Sequence, residues 1–133
     1  MLEQQVRMEG EVTMDAHWPT AIRLADAGRT LQVEFESGER FALPAEYLRV
    51  SSPSAEVQGH APSQKVTVPG KINVAIVRAE PVGSYATRLV FDDGHDSGFY
   101  TWEYLFELGA RQSENWQAYL DELAAKNLRR QAG

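Results

Sequence analysis

The residues best suited to chemistry lie together in one short stretch: Asp92, Asp93, Gly94, His95, Asp96, Ser97 and Gly98. The histidine is flanked by carboxylates, so it could ligate a metal, act as a base or gain charge stabilisation from its neighbours. The same residue types are typical of a tight turn, because aspartate bonds its own backbone and Gly94 and Gly98 can supply positive φ. Asp-Asp-Gly is also an ordinary hairpin signal. The stretch therefore favours a turn, with metal-binding or catalytic use of His95 as alternatives.

A second histidine, His60, lies in a segment rich in serine, proline and glycine, which predicts a long loop over residues 51–70. If this loop returned toward His95, two histidines and a carboxylate would suit iron or zinc. No short-range ligand motif joins His60 to His95, so the spacing gives such a site little support. The third histidine, His17, is expected at the surface.

Isolated arginines and an aromatic run are the other candidate binding residues. The arginines adjoin apolar strand residues: Arg49, Arg78 and Arg88. Each guanidinium could bind a carboxylate or phosphate of a ligand through two hydrogen bonds, although we expect these arginines to form structural ion pairs with the surplus acids. The aromatic run comprises Phe99, Tyr100, Trp102 and Tyr104. These rings could form a cage for a quaternary ammonium, but aromatics at this density usually form core. The sequence contains no phosphate-binding glycine loop, nucleophile elbow or His-Glu-x-x-His motif.

Hydrophobic periodicity predicts the strands that position these residues. Alternation of apolar and polar residues indicates three antiparallel strands in a meander over residues 20–43. A further strand is expected around residues 74–77. A turn over residues 80–83 then leads to the last strand, residues 86–91.

The predicted helices follow the strands at two points. A short helical turn is expected over residues 45–49, with a proline before it. Thr101 is predicted to cap a helix over residues 102–108, and Gly109 occupies the place of a left-handed C-cap. A second helix begins at Ser113 and carries an apolar stripe. The sequence therefore predicts an α+β fold, a small and mostly antiparallel β-sheet domain with a long loop and C-terminal helices.

Length, charge and cysteine content limit the classes of function. A chain of 133 residues is expected to form one domain, with a polar, flexible leader over residues 1–16 and a C-terminal helix over residues 111–133 that packs on or extends the domain. Without cysteine there is no disulfide, thiolate nucleophile or cysteine-held metal. The net charge of −6 argues against nucleic acid as a partner. No apolar run approaches the ~20 residues of a membrane span, and no signal peptide is recognisable, so a cytoplasmic protein without a membrane partner is expected.

Two blocks of sequence carry a resemblance to a known family: LPAEYLRVSSPSAEVQGH at residues 43–60 and EPVGSYATRLVFDDGHDSGFYTWEYLFELG at residues 80–109. They resemble the DUF971 family, also called the gamma-butyrobetaine hydroxylase-like N-terminal domain, over about residues 17–110. In eukaryotes the domain precedes iron and 2-oxoglutarate oxygenases of carnitine synthesis, and it also occurs appended to Mrp-type ATPases that carry iron–sulfur clusters. This chain resembles the stand-alone bacterial type.

The resemblance also implies a metal site and shows where this chain departs from it. The oxygenases' domain holds a structural zinc through three cysteines, in the pattern LR-x-x-C-P-C-x-x-C, and one histidine from the later turn. In this sequence the cysteine positions fall at Ser52, Ser54 and Val57, and His95 corresponds to the histidine. Serine is a poor zinc ligand and valine is none, so the zinc site does not carry over. We expect hydrogen bonds and packing in its place, with Ser52 and Ser54 bonding the loop backbone and His95 contacting the loop.

The sequence favours a non-enzymatic accessory or protein-interaction domain, with a protein partner, no catalytic residues and no cofactor. Its fused relatives link it to oxygenase or iron–sulfur metabolism, but an oxygenase catalytic domain has no counterpart here. The alternative is an iron- or zinc-binding protein that uses His95, His60 and the nearby acids. A weaker alternative is a small-molecule site around Arg49 and the aromatic run. The candidate binding residues are Arg49, Ser52, Ser54, His60, Asp92, Asp93, His95 and Trp102.

Overall fold

The computed structural model describes residues 17–58 and 65–132. Two predictions therefore lie outside the described residues. One is the flexible leader over residues 1–16, and the other is the use of His60 as a second metal ligand.

The first sheet is the predicted meander. Strands β1 (Pro19–Ala25), β2 (Thr30–Phe35) and β3 (Arg40–Pro44) pair antiparallel in the order β1-β2-β3, which confirms the prediction. Every second residue of β2 is buried, as the alternation predicts. The turn between β1 and β2 needs Gly28, whose φ is +87°, because a Cβ there would lie 2.2 Å from the carbonyl oxygen of Ile76.

Helix α1 (Ala45–Val50) follows β3 directly, and Pro44 occupies its N-cap position. All its residues except Arg49 are buried, so α1 is a core element despite its six-residue length. The long loop predicted over residues 51–70 contains a helical turn, α2 (Ala55–Gln58), that the sequence pattern does not indicate. Four residues are too few to show a helical period.

The second sheet comprises β4 (Ile76–Val82), β5 (Ala86–Phe91) and β6 (Gly98–Thr101), antiparallel and in that order. The predicted turn over residues 80–83 begins too early, since β4 continues through Pro81 to Val82. Proline is tolerated there because β4 is an edge strand. The sequence analysis missed β6, because four residues that run directly into a helix give little alternation.

Two helices end the chain, α3 (Trp102–Ala110) and α4 (Gln112–Ala125). The Thr101 side chain accepts a hydrogen bond from the backbone N–H of Tyr104 at 3.1 Å, which confirms the predicted N-cap. The prediction for Gly109 is wrong, because this residue lies inside α3 rather than at a left-handed C-cap. Helix α4 starts one residue before the predicted Ser113.

Gly109 is required for packing. A Cβ at this position would lie 2.3–2.6 Å from ring atoms of Phe41. We expect Gly109→Ala to lower the free energy of unfolding by about 1–2 kcal/mol, because overpacking outweighs the roughly 1 kcal/mol gained in helix propensity. Urea denaturation measures this difference. Combining it with Phe41→Leu should recover part of the loss, whereas an equally stable Gly109→Ala protein would contradict the packing argument.

One hydrophobic core joins the inner residues of both sheets to α1 and α3. Its fully buried side chains include Leu31, Leu43, Leu48, Leu89, Phe91, Tyr100 and Leu105. A smaller cluster of Val50, Tyr119 and Leu123 attaches α4 to α1. Antiparallel sheets with helices gathered toward the C-terminus make this an α+β fold. Within the described residues, no helix is both long and apolar enough to cross a membrane.

Candidate functional site

The acidic stretch after β5 is a turn between β5 and β6, as its composition favours. Gly94 has a φ of +92°, and the Asp93 carboxylate accepts a hydrogen bond from the backbone N–H of His95 at 3.0 Å. Gly98 does not supply positive φ, contrary to the sequence prediction, and instead begins β6. Glycine is required at position 98 for a different reason, because a Cβ there would lie 2.6 Å from Ser52 Oγ. The turn therefore packs directly against the loop that follows α1.

His95 connects that loop to the turn. Its Nε2 lies 2.9 Å from Ser52 Oγ and its Nδ1 lies 3.2 Å from a carboxylate oxygen of Glu56. A carboxylate accepts hydrogen bonds, so we assign the ring proton to Nδ1. Nε2 then accepts from the Ser52 hydroxyl, which itself accepts from the backbone N–H of Ser54 at 3.2 Å. The His95 side chain is 3% exposed and Ser52 is fully buried.

A second pair of serines extends the connection. Ser54 Oγ lies 2.8 Å from Ser97 Oγ and accepts from the backbone N–H of Glu56 at 3.2 Å. Both Ser52 and Ser54 thus bond the loop backbone, as expected from the sequence. We call the set Ser52, Ser54, Glu56, His95 and Ser97 the serine–histidine latch. It ties the loop after α1 to the β5–β6 turn through side-chain hydrogen bonds.

An ion-pair cluster lies beside the latch. The Asp93 carboxylate contacts Arg49 Nε at 2.8 Å and Lys71 Nζ at 2.7 Å. Burial alone would raise the pKa of Asp93. Hydrogen bonds from Lys71, from the backbone N–H of His95 and from Arg49 outweigh it and hold the pKa at about 2. Arg49 Nη1 is buried with no hydrogen-bond partner among the described residues.

Burial, together with Arg49 of the ion-pair cluster, disfavours the protonated form of His95. Burial lowers the pKa of His95 below its ordinary value, and the positive charge of Arg49 lowers it further. The carboxylates of Glu56 and Asp93 oppose this shift without reversing it. The latch needs a neutral ring, because Nε2 must accept a hydrogen bond from the Ser52 hydroxyl.

The lowered pKa values of His95 and Asp93 predict that acid destabilises this site in two steps. Below pH 6.5 the unfolded chain binds a proton at His95 more readily than the native chain, so stability falls with falling pH from there. A second loss, of about 2 kcal/mol, follows between pH 3.8 and 2, where the unfolded chain protonates Asp93 first. Urea midpoints from pH 8 to pH 2 measure both steps. Asp93→Asn should lack the lower step, and stability that stays level down to pH 4 would contradict the upper one.

The remaining candidates hold other parts of the fold together. Asp92 accepts from the backbone N–H of Ala75 at 3.1 Å, which connects the β5–β6 turn to the residue before β4. The Trp102 indole N–H donates to the carbonyl of Ser84 in the β4–β5 turn at 2.8 Å. The structure therefore gathers Arg49, Ser52, Ser54, Asp93 and His95 into one region, with Trp102 bonded elsewhere.

The other arginines form structural ion pairs, as expected. Glu80 pairs with Arg78 at 3.0 Å and with Arg88 at 2.8 Å, on the second sheet. The aromatic run does not form a single cage, because Phe99 is 48% exposed while Tyr100, its neighbour on β6, is fully buried on the opposite face.

Two residues of the site were missed by the sequence analysis: Glu56 and Lys71. Ser97 was named there as part of the acidic stretch, without a contact being assigned to it. Glu56 lies between two of the family's cysteine positions, so the resemblance offered a signal for it. No signal in the sequence pointed to Lys71, because its contact with Asp93 depends on how the loop after α2 returns to the second sheet.

The latch does not fit a zinc ion. Of the four positions that the resemblance assigns to zinc, only His95 offers a ligand, and its Nε2 is hydrogen-bonded to Ser52. Val57 is 2% exposed and packs in the interior. Across residues 17–58 and 65–132, no three His, Asp or Glu side chains come together in a group that could hold a metal.

Ser52, His95 and Glu56 follow the hydrogen-bond order of a serine-hydrolase triad. The nucleophile of such a triad must be reached by a substrate carbonyl. Ser52 is fully buried and its oxygen already accepts a backbone N–H, so this arrangement leaves no room for a substrate.

Fold and site together define a small α+β domain whose polar residues bind two of its own loops to each other. The family model described as gamma-butyrobetaine hydroxylase-like, N-terminal, matches residues 22–106. The chain belongs to this family, which confirms the resemblance drawn from the two sequence blocks.

Solved structures of similar proteins agree with this assignment. One NMR solution structure is 49% identical, with a TM-score of 0.76 over 88% of this chain and 92% of its own. A second is 43% identical, with a TM-score of 0.77 over 91% of this chain and 90% of its own. A crystal structure of a DUF971-family protein of unknown function from Acidithiobacillus ferrooxidans is 39% identical, with a TM-score of 0.57 over 69% of this chain and 92% of its own. No curated protein matches the chain.

Proposed function

We propose that this chain is a non-enzymatic accessory domain that acts by binding a partner protein. The observation that carries the proposal is the burial of Ser52 and His95 within the latch. Ser52 is fully buried, the His95 side chain is 3% exposed, and the polar atoms of both are bonded to each other and to the loop. The residues most capable of chemistry are thus used to hold the fold together, which favours a binding function for the surface.

The second sheet offers apolar side chains to such a partner. Val77, Tyr85 and Phe99 are each about half exposed, and all three belong to this sheet or its first hairpin. Aromatic side chains are enriched in protein interfaces. The family's fusion to oxygenases and to iron–sulfur ATPases extends the proposal to a role in oxygenase or iron–sulfur metabolism.

Affinity capture from native lysate tests the proposal. The wild-type chain should retain a specific protein, identified by mass spectrometry, and Phe99→Asp should weaken its capture. Leu24→Asp is the matched control, since Leu24 is 39% exposed on the first sheet. Equal loss in both variants would place the contact elsewhere than on the second sheet. A wild-type chain that captures nothing beyond the tag control would contradict the proposal.

Metal content separates the accessory role from the metal-binding alternative. We expect untagged protein, purified without chelators, to contain far less than one zinc or iron per chain. The reason is that both His95 ring nitrogens are hydrogen-bonded and the Asp93 carboxylate is held by two cations. Elemental analysis of the wild type and of His95→Ala measures this. Near-stoichiometric metal that falls in the variant would make the metal-binding alternative the leading one.

A further inference from the structure

A buried carboxylate lies on α1, away from the residues of the latch. The Glu46 side chain is 7% exposed, and both of its oxygens are occupied by Arg130, whose Nε and Nη2 donate at 2.9 and 2.8 Å. The guanidinium carbon of Arg130 also lies 5.2 Å from the centre of the Trp116 ring. A two-pronged carboxylate contact combined with an aromatic face is the geometry that selects arginine over lysine.

Arg130 reaches this place from a segment with few other attachments. We call residues 128–132, which follow α4, the C-terminal strap. The strap accepts two backbone hydrogen bonds, from Gly70 N–H to the carbonyl of Arg129 at 2.8 Å and from Ile72 N–H to that of Arg130 at 3.0 Å. The Leu128 N–H donates to the carbonyl of Leu123 at 2.8 Å, and the Leu128 side chain packs against the small cluster around Tyr119. A segment held by so few contacts opens more readily than the core does.

We propose that Glu46 and Trp116 form an arginine-binding site, which Arg130 fills within the chain and which an arginine of the partner protein fills when the strap is displaced. This inference rests on the proposed function, because it names the chemistry of the partner. A basic segment also complements the net charge of −6.

Replacing Arg130 by an arginine of the partner keeps the same hydrogen bonds to Glu46, so the replacement costs little free energy. Opening of the strap leaves the Glu46 carboxylate without its partner, so a replacement guanidinium favours the open state. One bidentate arginine replaces another, and the number of charge-assisted hydrogen bonds is unchanged. The strap competes with an effective concentration on the order of millimolar, as expected for a short tether. A partner present below this concentration therefore needs further contacts with the chain to displace the strap.

Chemical rescue of Arg130→Ala in the full chain tests the site. The variant should melt about 5–10 °C below the wild type, and N-acetyl-arginine amide should restore the melting temperature saturably. N-acetyl-lysine amide should restore much less, and the double variant Glu46→Gln with Arg130→Ala should not respond. Where Arg130→Ala does not fold, Arg130→Lys replaces it, because it keeps the charge and loses the planar fork.

Arg88→Ala is the matched control for an exposed pair. Its partner Glu80 is 38% exposed, against 7% for Glu46, so the arginine compound should not shift its melting temperature. Rescue of Arg130→Ala by both compounds alike, or no rescue by either, would overturn the site.

Displacement of the strap is measured in the wild-type chain by hydrogen exchange. Hydrogen exchange at the Gly70 and Ile72 amides should accelerate with tens of millimolar N-acetyl-arginine amide, above the effective concentration of the strap, and should not with the lysine compound. Unchanged hydrogen exchange at these amides, in the presence of a rescued Arg130→Ala variant, would overturn displacement of the strap.

The two proposals fail separately. A captured partner protein without chemical rescue refutes the arginine-binding site alone, whereas chemical rescue without any captured partner refutes the proposed function.

Discussion

Replacing His95 with alanine is expected to lower the free energy of unfolding by about 3 kcal/mol. The change removes a nearly buried ring and leaves a cavity between the loop and the turn. It also leaves the Ser52 hydroxyl, which is fully buried, without its acceptor. Both costs act at the same place, where the latch is the connection between two segments 43 residues apart in sequence.

Urea denaturation of His95→Ala at pH 7.5 measures the loss, and His17→Ala is the matched control. His17 is a more exposed histidine that bonds Glu103 at 2.8 Å and stacks on Phe106, so its removal should cost about 1 kcal/mol or less. The acid sensitivity below pH 6.5 should also weaken in His95→Ala, because the group that titrates is gone. Equal losses in the two variants would mean that the latch contributes nothing special to stability.

The local sequence pattern predicted much of this fold, because strands with one solvent-exposed face show a clear alternation of apolar and polar residues. The meander and the Thr101 cap follow from neighbouring residues, whereas the ion pairs of Arg78 and Arg88 were expected only from the surplus of acids. Strand β6 and helix α2 could not be predicted in the same way, since each has four residues. What fixes them is contact with distant segments, and such contacts leave no period in the sequence.

The site was predictable only where the resemblance supplied a spacing. It placed Ser52 and Ser54 opposite His95, and the structure brings these residues together. Glu56 and Lys71 complete the electrostatics of the site, yet neither forms a pattern with its neighbours. Gly109 shows the opposite error, because a glycine near a helix end suggests a cap, while its true constraint is the ring of Phe41.

Introducing cysteines at the three positions that the resemblance to the oxygenases' domain assigns to zinc should convert the latch into a zinc site. We expect the triple variant Ser52→Cys, Ser54→Cys, Val57→Cys to bind one zinc per chain and to melt more than about 10 °C higher with zinc than without. Ser52 Oγ already lies 2.9 Å from His95 Nε2. Tetrahedral zinc separates a sulfur and a nitrogen ligand by roughly 3.6 Å, so the ligands at positions 52 and 95 need to separate by less than an ångström.

The metal-free triple variant should be less stable than the wild type, because thiols are weak donors and replace the serine hydrogen bonds poorly. Zinc should therefore reverse the sign of the stability change, and this reversal distinguishes a rebuilt site from loose metal binding at the surface. Elemental analysis and thermal melts of the triple variant, with and without His95→Ala, measure it. A triple variant that binds no zinc would show that the loop has moved away from a metal-binding geometry. One that binds zinc would show that hydrogen bonds and a metal are alternative ways of closing the same two segments of this fold.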